Sequence, residues 1–192
     1  MVEKSTTFVV PDPPTGFQID RTLAAGRYPI LRVFPRLSTL RIARRLQPDA
    51  SKRTGLFRNT QIELVEDDVW MYVAPWEIPP SARRRWKPVV TPGQDCIVVG
   101  MEHLRESPAF TLFMDIFHEL RHVLQRRAGA QLFDGGVSYV RRPTEIDAYR
   151  FVVDEAREMG VSEEFLRDYL RVDWINDDEF LELLLALGVA AP

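Results

Sequence analysis

Cysteine is nearly absent. Cys96 is the only one in 192 residues, so no internal disulfide can form, and a lone thiol fits a reducing compartment. Inside the apolar run Cys96-Ile97-Val98-Val99 it reads as a core residue, because cysteine is among the most buried residue types. Long hydrophobic runs are also missing. The most apolar segment, 180–191, is too short to cross a bilayer and contains Glu182. The first apolar run is too short for a signal-peptide core and ends at Pro11. Charge of one sign is not in excess: 25 Lys and Arg stand against 28 Asp and Glu, a net charge of -3. That balance does not mark a binder of nucleic acid or of an anionic membrane, and the local basic run Arg83-Arg84-Arg85-Trp86-Lys87 reads as a solvated loop. The expectation is a soluble cytoplasmic protein without nucleic-acid or membrane partners. There is no internal repeat, and 192 residues at 45% hydrophobic suit a single domain over 1–192 that buries a sizeable core.

The two halves of the chain are patterned differently. Residues 1–30 are rich in proline and glycine and read as an extended arm with one or two short strands. Ser38 precedes a short amphipathic helix that ends before Pro48. The segments 60–66 and 68–75 carry β-branched and aromatic residues on either side of the acidic turn Glu66-Asp67-Asp68, which predicts a hairpin, with 94–101 as a third strand. From Pro108, Phe113, Ile116, Phe117, Leu120, Val123 and Leu124 recur at helical spacing, and that helix should fray near Gly129. Asp134-Gly135-Gly136 predicts a turn, followed by an extended "VSYV". Helices are then expected from Thr144 to Gly160, over 162–171 and over 177–187, the last with Asn176 and Glu179 as a capping pair. Strands first (1–107) and helices after (108–192) make an α+β order.

What the sequence does have is a concentrated arrangement of a scarce polar residue. Two of the three histidines stand in "FHELRH", four residues apart, with Glu119 after the first. On a helix His118 and His122 share a face, one turn apart, and two imidazoles so placed can ligate one tetrahedral ion at ~2.0–2.1 Å. Glu119 lies about 100° round the helix, out of the ligand pair but within reach of a metal-held water. The apolar face is already well stocked, so the histidines are not needed for packing. Catalytic zinc takes a third protein ligand. No histidine follows His122, so that ligand is a carboxylate or His103. Glu145 is the best placed, near the start of the next helix; His103, Asp147 and Asp154 are the alternatives. Thr144-x-x-Asp147 also fits a capping pattern, which makes Asp147 a candidate cap or a partner of a ligand histidine. His103, Tyr139 and Tyr149 are candidate donors to a reaction oxyanion. "VSYV" and "CIVVG" are candidate edge strands for an extended peptide.

"HELRH" followed by "EIDAYRF" resembles the gluzincin pattern, in which H-E-x-x-H is completed by a glutamate on a following helix. Within that class the stretch 108–160 is most similar to the small ImmA/IrrE-like metallopeptidase domains. The resemblance implies a zincin-like fold, a small twisted sheet beside an active-site helix. It also implies Zn2+ on His118, His122 and Glu145, with Glu119 as general base in peptide-bond hydrolysis. The expected activity is therefore that of a zinc metallopeptidase acting on a peptide or protein. Two other readings stand beside it. One is an idle zincin serving as a protein-binding module, against which the presence of Glu119 argues. The other is a zinc amidohydrolase of a small-molecule amide.

Overall fold

A computed structural model describes residues 17–35, 69–75, 89–90 and 96–191. The molecule is α+β. Its described strands are β1 (Gly26–Pro29), β2 (Trp70–Ala74), β3 (Val89–Val90) and β4 (Cys96–Gly100), ordered β1-β2-β4-β3 in one mixed sheet. β1 runs antiparallel to β2, β2 parallel to β4, and β3 antiparallel to β4. Every residue of β4 is buried, which is why it reads as a continuous apolar run rather than an alternating one. Cys96 is buried within it, and burial pushes its thiol pKa up.

Two strand expectations are corrected. β2 has β1 on one side and β4 on the other, whereas the expected hairpin rests on 60–66. That segment itself lies outside the described residues, as do the helix expected after Ser38 and the basic run at 83–87. β4 sits between β2 and β3 and is therefore not an edge strand. "VSYV" is not a strand either: Tyr139–Arg141 is a turn of 3-10 helix. The short apolar alternation there is overridden by the turn before it and Pro143 after it, which leave room for one tight turn only.

The helices follow their sequence signals closely. After the one-turn α1 (Ile30–Val33), α2 (Met101–Glu106) continues directly from β4. Arg21 donates to the carbonyls of Leu104, Arg105 and Ser107 at 2.7 Å each, fastening the N-terminal segment to the end of α2. A cation suits that negative end of the helix. α3 (Ala109–Arg127) begins after Pro108 and ends just before Gly129, whose φ of +85° supplies the left-handed residue that stops it. α4 (Pro143–Glu158) starts on a proline and stops before Gly160. α5 (Glu163–Leu170) is capped by Ser162, and α6 (Asp177–Leu187) has the full Asn176–Glu179 capping box.

α3 is the central element. Phe110, Phe113, Met114, Phe117, Leu120 and Val123 are all at most 1% exposed. They share one core with Met71, Val73, Ile97 and Val99 of the sheet and with Tyr149, Val152, Val153 and Ala156 of α4. α4 runs antiparallel to α3, as the pairs Gln125–Thr144, Arg121–Asp147 and His118–Tyr149 require. This pairing brings the first turn of α4 against the histidine-bearing turns of α3.

Candidate metal centre

Helical spacing places His118 above His122, with ring centroids 4.6 Å apart and Nε2 atoms 3.0 Å apart. Pro143 starts α4, so Glu145 falls in its first turn, where the helix dipole favours a carboxylate. Its Oε2 stands 3.5 Å from Nε2 of His118 and 3.4 Å from Nε2 of His122. Glu119 lies to the side, its Oε1 3.9 Å from His118 Nε2. Ligand atoms of His118, Glu119 and His122 also fall within 4.8 Å of one another, so two carboxylates face the imidazole pair. Glu145 is the nearer, lying within 3.5 Å of both rings.

All four side chains are buried, at 4–6% exposure. Charges in such a place are costly unless paired, and the cluster's electrostatics follow from the pairing. Burial alone would raise the Glu145 pKa, but hydrogen bonds and charge from His118 and His122 overcome it and hold the carboxyl far below its ordinary range. Burial alone would lower His122. The hydrogen bond to Glu145, the charges of Glu119 and Glu145 and the hydrogen bond to Gln125 overcome that and raise it to about 9. Two imidazoles and a carboxylate that converge in this way form a donor set of the kind that takes zinc.

The other candidates separate cleanly. Tyr149, fully buried and one turn beyond Glu145, packs its ring against that of His118, centroids 4.3 Å apart and planes tilted by 53°. Its hydroxyl meets that of Tyr139 at 2.8 Å. Tyr139 is held protonated: burial, the neighbouring Tyr149 and the carboxylates Glu145 and Glu119 all push its pKa well above the ordinary value. His103 is not part of the cluster. Its ring bridges Ser107 Oγ and Asp115 Oδ2, each at 2.8 Å, and Asp115 Oδ1 accepts from Tyr169 at 3.0 Å. That network fastens α2, α3 and α5 to one another. Asp154 is exposed on α4, away from the buried face that carries Glu145.

Asp147 is not a cap. The N-cap of α4 is Arg142, with no side-chain cap bond, and Thr144 lies inside the first turn. The start on Pro143 moves the helix boundary ahead of the expected capping pattern. Asp147 instead accepts from Arg121 at 2.7 and 3.1 Å and from Gln125 Nε2 at 2.6 Å. Gln125 in turn meets His122 Nδ1 at 2.8 Å, so Asp147 reaches the histidine through an amide. Gln125 and Arg121 are absent from the sequence reading. The available signal was their spacing on α3: an amide at i+3 from His122 and an arginine four residues before the amide, both beside the first turn of α4.

No protein-family model, curated protein sequence or solved structure matches this chain.

Proposed function

We propose that this protein is a zinc-dependent hydrolase of amide bonds, acting on a peptide, with a zincin-like layout in which α3 carries H-E-x-x-H and α4 the third ligand. One observation carries the reading. The three atoms His118 Nε2, His122 Nε2 and Glu145 Oε2 form a triangle with edges of 3.0, 3.4 and 3.5 Å. Tetrahedral ligands at ~2.0–2.1 Å stand roughly 3.3–3.4 Å apart, so these residues fit a zinc ion without rearranging the helices that bear them.

A bound zinc ion supplies Lewis acidity, lowering the pKa of its water and polarising a carbonyl oxygen. The remaining chemistry belongs to the chain. Glu119, buried beside the ligand triangle but outside it, is placed to accept a proton from the attacking water. It then delivers that proton to the leaving nitrogen. A buried carboxylate carries a desolvation cost, and a purely structural zinc site has no use for it, which favours a hydrolase over an idle zincin. Tyr139 keeps its proton, and the Tyr139–Tyr149 hydroxyl pair offers an O–H donor to the oxyanion that forms. Tyr149 accepts or donates within the pair while its ring buttresses His118.

The test is elemental analysis of protein purified without chelator. One zinc per chain is expected. A value near zero after incubation with zinc at neutral pH would overturn the metal reading and the mechanism with it.

A further inference from the structure

The hydrogen bonds behind His122 fix more than its position. Gln125 Nε2 lies 2.9 Å from the Thr144 carbonyl and 2.6 Å from Asp147 Oδ2. A carbonyl only accepts. The Asp147 carboxylate, gripped by the Arg121 guanidinium at 2.7 and 3.1 Å, also only accepts. The two hydrogens of the Gln125 amide must therefore face these two groups, which settles the amide's orientation. Its oxygen then faces His122 Nδ1 at 2.8 Å, and an amide oxygen can only accept, so Nδ1 must carry a hydrogen.

We infer that Gln125 is the positioning residue of the metal centre, locking neutral His122 in the Nδ1–H tautomer with the Nε2 lone pair aimed at His118 and Glu145. The 3.0 Å contact between the two Nε2 atoms is compatible with this tautomer: a bare His122 Nε2 can accept a hydrogen from His118 Nε2. The same amide holds Thr144, the residue before Glu145, so it ties the orientation of one ligand to the placement of another. Arg121 anchors the far end, forked onto Asp147 with its guanidinium 5.2 Å from the Phe151 ring. The consequence for zinc affinity rests on the function proposed above; the tautomer does not.

The test uses the full chain and two readouts. Imidazole 15N shifts of the metal-free protein, recorded well above pH 9 where His122 is neutral, report the tautomer. Competition with a chelator reports the zinc Kd. Wild type is expected to show protonated Nδ1. Gln125→Leu should move the proton to Nε2 and weaken zinc about 10–100-fold, the usual effect of losing the partner of a ligand histidine. Gln125→Glu should also weaken zinc, because a carboxylate cannot donate to Asp147. Adding Asp147→Asn to it restores a donor opposite the new carboxylate and should recover most of the lost affinity, a rescue that mere helix damage would not give. Zinc binding by a wild type whose His122 carries its proton on Nε2 overturns the inference, as does Gln125→Leu with unchanged tautomer and Kd. Protonated Nδ1 in a wild type that binds no zinc would support the tautomer and overturn the metal reading instead. The wild-type measurement decides the tautomer even if a variant fails to fold.

Discussion

Glu119 and Glu145 are both buried carboxylates beside the same two imidazoles, yet their helix positions give them different work. Glu145 comes from a second helix, with Oε2 3.4–3.5 Å from both imidazoles; Glu119 follows His118 in sequence, with Oε1 3.9 Å from that ring, and in the proposed reading it is the base rather than a ligand. Removing each should therefore break a different property. Glu145→Ala deletes the proposed third ligand, and metal analysis should show zinc lost under conditions where wild type retains it. Glu119→Gln keeps the shape and loses the proposed base: zinc content and thermal stability should stay near wild type, while hydrolysis of any cleaved peptide should fall about 10²–10⁴-fold. Equal cleavage by the zinc-loaded Gln variant and wild type would rule out Glu119 as the base. Tyr139→Phe offers a narrower check on the oxyanion donor. It removes the hydroxyl that meets Tyr149 but leaves the ligands, so kcat should fall by about 10²-fold or more, as for other lost oxyanion donors, with zinc content unchanged. A drop in zinc content instead would make the tyrosine pair a support of His118 rather than a participant in the chemistry.

At the scale of elements, what was legible in the sequence is what local chemistry decides. α3 and α4 stop before Gly129 and Gly160, which take positive φ, and α6 begins at the cap Asn176, and those residues act within one turn of their own position. The convergence of His118, Glu119 and His122 needs only helical periodicity, and the nearness of Glu145 needs only that two consecutive helices return antiparallel. What was not legible depends on which elements become neighbours. The parallel pairing of β2 with β4, and the loss of any free edge on β2, follow from contacts between segments more than twenty residues apart. The clamp of Arg21 on α2 spans more than eighty residues. His103 was drawn toward the site by being near it in sequence, yet Ser107 and Asp115 hold it elsewhere. The role of Asp147 was half visible, since a partnership with a ligand histidine was expected but the intervening Gln125 was not. The caps themselves are testable. Asn176→Ala removes the side-chain half of the α6 capping box, the bond that Asn176 Oδ1 accepts from the Glu179 N–H, and should cost about 0.5–2 kcal/mol in denaturant unfolding. Zinc affinity should not change, because α6 contributes nothing to the ligand triangle. A change in zinc affinity in that variant would mean that α6 controls the placement of α4.

Across the whole molecule, the cluster couples folding to protons and, on the proposed reading, to metal at once. In the metal-free protein, His122 and Glu145 stabilise each other as an ion pair. His122 is raised from its ordinary 6.5 to about 9, so its contribution is fully present below pH 6.5 and disappears as pH rises through 9. Glu145 is lowered from 4.5, so its contribution is present above pH 4.5 and is lost as pH falls below that. The metal-free fold should thus be most stable between about pH 4.5 and 6.5 as far as this pair decides. Zinc reverses the upper limit. It needs His122 deprotonated, so near neutral pH its binding must expel about one proton from that ring, and its affinity must climb with pH until His122 is neutral. By linking α3 to α4 it also stabilises the folded chain, by about 2.7 kcal/mol at free zinc 100 times the Kd, which for a chain of this size is roughly 5–10 °C in Tm. Thermal melts with buffered zinc and with chelator should therefore diverge as pH is raised from 6.5 to 9, the chelated sample losing stability while the zinc-loaded one holds it. Calorimetric titration at neutral pH in buffers of different ionisation enthalpy should return about one proton released per zinc. Melting curves that stay parallel across that range, or zinc uptake with no proton release, would mean that His122 is neutral before the metal arrives and that the pairing with Glu145 does not govern the site.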